Sequence, residues 1–209
     1  MQGRRTFTAT LFLGLVAAFS LLSQEVLNKA SIGHFIPLPL TTQSTEYSCG
    51  AAAVQSICAY YGDKHIESEL FKGLGTNPEY GTDHRQMLKF VQSKGFQAVA
   101  YEGMTIHQLR DFLSQGKPVI CLIQAWEDNV TDYTDVWGDG HYAVAVGYDK
   151  ERVYFLDPWM VGNYMYIPNQ ELIKRWHHLT YDKIRLVNWG MVVAKDSPVY
   201  VPDAVLYMP

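Results

Sequence analysis

Cys49 is the residue of this chain best placed to do covalent chemistry. It lies in the stretch Gln43 to Gly50 (QSTEYSCG), and Gly50, Ala51, Ala52 and Ala53 follow it in a helical pattern that runs through Tyr61. That arrangement predicts a thiol in the first turn of a helix, at the positive end of its dipole. A cysteine so placed has a lowered pKa, and its thiolate is the nucleophile. The small residues after it allow other backbone to approach closely. Alone the pattern is weak, because most helical cysteines are buried and inert.

Two later stretches could answer the thiol. His141 opens the run Gly140 to Tyr148 (GHYAVAVGY), and Asp157 closes the next apolar run, Val153 to Leu156, after a turn at Asp149-Lys150. Antiparallel pairing of the two runs brings Asp157 toward the His141 imidazole. A carboxylate there would fix the tautomer and orientation of the ring, as the third member of a triad does. Gln43 offers an amide that could donate to an oxyanion. Each residue also has a plain structural reading: His141 at a loop-to-strand junction, Asp157 in a turn before Pro158, Gln43 as a solvated loop amide.

The elements that must position these groups fall into two halves. After Cys49 to Tyr61, with Ser48 as N-cap, a second short helix is expected at Ile66 to Leu74. A third, capped by Thr82, spans Asp83 to Lys94, and a fourth opens at Thr105 with Ile106, Leu109, Phe112 and Leu113 inward. Phe96 to Tyr101 reads as a strand between them. The second half has strand composition at Val119 to Ala125, Tyr142 to Tyr148, Val153 to Leu156, Asn163 to Ile167 and Ile184 to Val193. Asn169 to Trp176 is its one predicted helix. Helices followed by antiparallel strands predict an α+β domain.

Composition narrows the function. Of 209 residues 48% are apolar and 18% charged, which suits a globular protein, and the net charge of −4 gives no reason to expect nucleic acid as a partner. Arg4 and Arg5 precede an apolar run, Leu11 to Leu22, broken only by Gly14 and Ser20. That run is shorter than the ~20 residues of a membrane span and fits a secretory signal. Attachment to a membrane through residues 7–22 is the alternative. An exported location, periplasmic or extracellular, is expected either way. The division expected is leader 1–23, connector 24–35, one folded domain 36–195 and tail 196–209.

Three cysteines cannot all pair within one chain. Cys58 and Cys121 read as core residues, a mutual disulfide being the minority reading, and no cysteine spacing resembles a zinc site. The acidic, aromatic stretch 126–140 (WEDNVTDYTDVWGDG) reads either as a surface loop or as a cleft rim favouring a basic or extended peptide. Asp128, Asp132 and Asp135 within it miss the spacing of a twelve-residue calcium loop. No metal or other cofactor is expected.

Taken together, Q-x5-C-G at Gln43 to Gly50, GHYAVAVGY at 140–148 and FLDP at 155–158 resemble the bacteriocin-processing cysteine peptidases. These papain-like enzymes remove double-glycine leader peptides, chiefly as domains of export transporters. The resemblance covers roughly residues 36 to 195. It implies a papain-like fold, with Cys49 as nucleophile, His141 as general base and acid, Asp157 as its orienter and Gln43 as oxyanion donor. Neither a transporter's membrane region nor a nucleotide-binding domain is expected within these 209 residues, and the resemblance is nearer to stand-alone members of the family. The expected activity is hydrolysis of a peptide or protein outside the cytoplasm through a thioester. Acyl or peptidyl transfer on the same triad, and a non-catalytic peptide-binding module, are the alternatives.

Overall fold

The computed structural model describes residues 32–130, 132–162 and 164–204. The expected leader and most of the connector lie outside them. Among the described residues no helix is long and apolar enough to cross a membrane.

Four helices dominate the first half: α1 (Cys49–Tyr60), α2 (Glu67–Leu74), α3 (His84–Ser93) and α4 (Ile106–Ser114), with α5 (Asn169–Arg175) in the second half. The strands are β1 (His34–Phe35), β2 (Gln97–Tyr101), β3 (Val119–Gln124), β4 (Gly140–Tyr148), β5 (Arg152–Leu156), β6 (Tyr164–Pro168), β7 (His177–Leu179), β8 (Arg185–Val187) and β9 (Gly190–Ala194). Seven of them form one antiparallel sheet in the order β2-β9-β3-β4-β5-β6, with β1 pairing the Gly147–Tyr148 end of β4. β7 and β8 form a separate pair. This is a mixed helix and antiparallel-sheet domain.

Every residue of β3 is buried, as are His141 to Gly147 of β4. Strands covered on both faces read as continuous apolar runs rather than alternating ones, which is what VICLIQ and YAVAV show. Helix α1 packs on β4, α3 on β2, and α4 on β1, β3 and β4. Ala51, Ala52 and Ala53 are fully buried, so α1 is the central helix of the core and not a surface one. β4 thus lies against the helix that carries Cys49 while itself carrying His141.

Two local expectations need correction and a third holds in position only. Asp83, not Thr82, caps α3: its carboxylate accepts from the Arg85 and Gln86 backbone amides, whereas the Thr82 hydroxyl bonds that of Thr76. Ser48 does occupy the N-cap of α1, as expected, but its side chain makes no capping bond; its hydroxyl donates to the Thr45 carbonyl and accepts from the Thr45 amide. The run Ile184 to Val193 is not one strand. Asn188 sits at φ +51° and its amide donates to the Trp176 carbonyl at 2.7 Å, breaking the run into β8 and β9. The Thr105 expectation matches the structure, with a reciprocal capping box between Thr105 and Gln108.

Candidate active site

Cys49 is the first residue of α1 and is 8% exposed. The residue after it must be small for a steric reason. A Cβ on Gly50 would lie 2.7 Å from Thr82 Cβ and about 3.0 Å from the end of Met87, so glycine is what lets α1 approach the start of α3. Tyr142 reinforces the same contact, its hydroxyl donating to the Thr82 carbonyl at 3.0 Å. The helix start is therefore fixed against both α3 and β4.

His141 stands near the start of β4, opposite Ile123 of β3. The buried Gln124 side chain holds that end: its Nε2 donates to the His177 carbonyl at 2.9 Å, and its Oε1 accepts from the Asp139 amide at 2.8 Å. Asp157 follows β5 directly. Its Oδ1 lies 2.7 Å from His141 Nε2 and also accepts from the Trp159 amide at 2.9 Å. The His141 and Asp157 side chains are each only 8% exposed. With Nε2 turned to Asp157, the other ring nitrogen, Nδ1, is the one left to hydrogen-bond the Cys49 thiol. The structure thus brings His141 and Asp157 into contact, with the Cys49 thiol close enough to His141 to feel its charge.

The electrostatics follow from this arrangement. Burial alone would raise the Cys49 thiol, but the His141 hydrogen bond and charge, with the Tyr142 and Gly50 amides, hold it below its ordinary value. Burial alone would likewise depress the imidazole. Hydrogen bonds to Asp157 and Cys49 and the two neighbouring negative charges overcome it and push His141 up to about 10. Both shifts favour the thiolate–imidazolium pair over the neutral pair. Cys121 shows the contrast: burial raises its thiol, and all three cysteines are free, so Cys58 and Cys121 do not pair.

Gln43 is anchored beside these three groups rather than among them. Its amide nitrogen donates to the Pro158 carbonyl at 3.0 Å, tying the segment before α1 to the turn that carries Asp157. Its side-chain Nε2 donates to the Thr45 carbonyl at 2.8 Å, while Oε1 is buried without a partner among the described residues. A carboxamide has two N–H donors, and this bond uses one of them.

Sequence reasoning missed Trp126. Its indole N–H donates to Asp157 Oδ2 at 3.1 Å, so both carboxylate oxygens are engaged. Its backbone φ of +67° is a conformation that a bulky side chain rarely adopts. No local pattern reveals a contact across 31 positions. The stretch 126–139 is not a freely solvated loop. Asp132 pairs with Lys174, Tyr133 is buried beneath the Arg175 guanidinium, and His177 Nε2 lies 2.6 Å from the Val136 carbonyl oxygen. Beside Asp157 it bounds a cavity of about 320 Å³, whose lining includes Trp126, Glu127, Asp128, Phe155 and Met165.

The profile of the Peptidase_C39 like family matches residues 35–184, and the chain belongs to that family. None of the curated proteins matches it. Among solved structures it is similar to the peptidase domain of Streptococcus ComA, a bi-functional ABC transporter involved in a quorum sensing pathway. That domain is 17% identical with a TM-score of 0.58, over 75% of this chain and 98% of the other. A putative C39-like peptidase from Bacillus anthracis is 18% identical with a TM-score of 0.58, over 78% and 98%. A double glycine motif protease from an AMS/PCAT transporter, solved in complex with the leader peptide, is 18% identical with a TM-score of 0.55, over 77% and 94%. At these identities the likeness establishes the shared cysteine peptidase fold.

Proposed function

We propose that this chain is a cysteine peptidase that hydrolyses peptide bonds through a thioester, with Cys49 as nucleophile, His141 as base and acid, and Asp157 as the group that orients His141. The observation that carries this reading is the buried 2.7 Å contact between His141 and Asp157 together with the pull of His141 on the Cys49 thiol, which holds the thiol below and the imidazole above their ordinary values. The thiolate adds to the substrate carbonyl, and the oxyanion is held by the Cys49 amide and the second N–H of Gln43. Each good donor of this kind contributes roughly 3–4 kcal/mol to the transition state. His141 then protonates the leaving amine, and water, deprotonated by His141, releases the acid and restores the thiolate.

An extended peptide is the proposed substrate class, since a protease of the same fold was solved with its leader peptide bound. Glu127 and Asp128 line the cavity beside Asp157, far in sequence from Arg175, which lines it too, and a basic residue of the peptide is the proposed occupant there. An extracytoplasmic substrate is proposed from the signal-like run Leu11 to Leu22. The test is a peptide-library cleavage profile of the purified chain beside Cys49→Ala. Cleavage by the parent and none by the folded variant is expected. Equal cleavage by both overturns the assignment.

A further inference from the structure

The far end of α1 carries a second constellation that the peptidase site does not use. The chain turns sharply after the helix: the amides of Tyr61, Gly62 and Asp63 donate to the carbonyls of Ile57, Ala59 and Cys58 respectively, and Gly62 adopts φ +85°. This wrap folds Asp63 and His65 back over the side chain of Cys58. One ligand atom from each (the thiol sulfur, a carboxylate oxygen and a ring nitrogen) lies within 4.8 Å of the other two.

The imidazole supplies a second, independent observation. His65 Nε2 is only 3.1 Å from Asp63 Oδ1, yet it is buried and makes no hydrogen bond with any described residue. The two atoms therefore stand side by side, beside the Cys58 sulfur, without being bonded to each other. The ring is held in place: its edge meets the face of Phe90 at 6.2 Å between centroids, and the Gln55 side chain donates to the His65 carbonyl at 2.9 Å. Glu69 Oε2 lies 3.7 Å from Nδ1, where a carboxylate outside the metal's own shell commonly orients a ligating histidine.

We propose that Cys58, Asp63 and His65 form a binding site for a zinc-class divalent cation, with water completing a tetrahedron. The donor set of one thiolate, one carboxylate and one imidazole suits zinc or cobalt, not the all-oxygen shells of calcium or magnesium. Thiolate and carboxylate together neutralise a divalent charge, and the carbonyl end of α1 adds to the attraction. The cation displaces the thiol proton on binding, and no electron transfer is involved. Cys49 and Cys58 are nine positions apart, about 13 Å along a helix, so the ion sits away from the peptidase site. Its role is structural: it pins the tail of the central helix to the loop leading into α2. The spacing C-x4-D-x-H escapes sequence inspection because it has one cysteine and an aspartate, where zinc patterns pair cysteines and histidines.

The test titrates Co²⁺ into the reduced full chain carrying Cys49→Ala, so that the peptidase thiol contributes nothing. One equivalent is expected to give a sulfur-to-cobalt charge-transfer band and tetrahedral d–d bands. Cys58→Ser and His65→Ala should each remove them, and Cys121→Ser should keep them. Saturating Zn²⁺ should raise Tm by roughly 5 °C in the parent and not in His65→Ala. If Cys58→Ser does not fold, judged by circular dichroism, His65→Ala decides. No charge-transfer band in the parent, or bands that survive both substitutions, overturn the proposal.

Discussion

The two ends of α1 each carry a buried cysteine, at 8% and 1% exposure, and the two thiols are driven in opposite directions. At the head, burial works against the Cys49 thiolate, but His141 and two backbone amides reverse it. At the tail, burial pushes Cys58 up to about 12, with the Asp63 charge adding to the effect and Lys195 and Lys94 only softening it. One helix therefore presents a sulfur poised to attack at one end and a sulfur that holds its proton at the other. Burial is common to both. The helix terminus and the neighbouring side chain set the difference, and the same dipole that favours an anion at the head favours a cation at the tail.

Removing the support of the head should erase the contrast most strongly. Asp157→Asn keeps the shape of the carboxylate but not its charge or tautomer control, and is expected to lower kcat by on the order of 10³–10⁴-fold. Its pH profile sharpens the point. The ion pair requires protonated His141, so activity in the parent falls as pH rises through about 10. Losing Asp157 lowers the imidazole, so the alkaline limb must move to lower pH. The same direction governs stability: a folded-state value raised from 6.5 contributes fully below about 6.5 and is lost as pH rises toward 10. A limb that stays in place, or moves upward, contradicts the role given to Asp157.

Gln43→Ala tests the oxyanion donor. It should reduce kcat by about 10²–10³-fold with little change in KM, because the interaction forms mainly in the transition state. A change confined to KM would assign Gln43 to substrate binding. Smaller still, Trp126→Phe removes the second hydrogen bond to Asp157 while keeping an aromatic ring. A net loss of about 1–2 kcal/mol, or roughly 5–30-fold in kcat, is expected, with the alkaline limb shifted. An unchanged limb beside a lowered melting temperature would reduce Trp126 to a packing residue.

The sequence showed the head of α1 far better than its surroundings. Cys49, His141 and Asp157 were legible because each stands where an element begins or ends: a helix start, a strand start, the residue after a strand. Antiparallel pairing then brings two of them together. The papain-like α+β architecture was legible for a related reason, since strands covered on both faces read as continuous apolar runs. What sequence could not supply were contacts set by loop conformation. Trp126 reaches Asp157 through a left-handed backbone, and Asn188 breaks an unbroken apolar run through a positive φ. Asp83 displaced Thr82 as a cap because the two neighbours are equally good candidates, and the threonine hydroxyl found Thr76 instead. The Cys58 cluster was invisible because it depends on how tightly the chain wraps after Gly62.

The central claim is that Cys49 is a thiolate near neutrality while its buried counterparts are not. The most direct measurement is the rate of chloroacetamide labelling of each cysteine in the native, metal-free protein as a function of pH, read by mass-spectrometric site mapping. Labelling of Cys49 is expected to be fast and to level off well below the ordinary thiol pKa of about 8.5, with Cys58 and Cys121 unreacted. A Cys49 rate no greater than that of an exposed free thiol, still climbing through pH 8.5, would contradict the account.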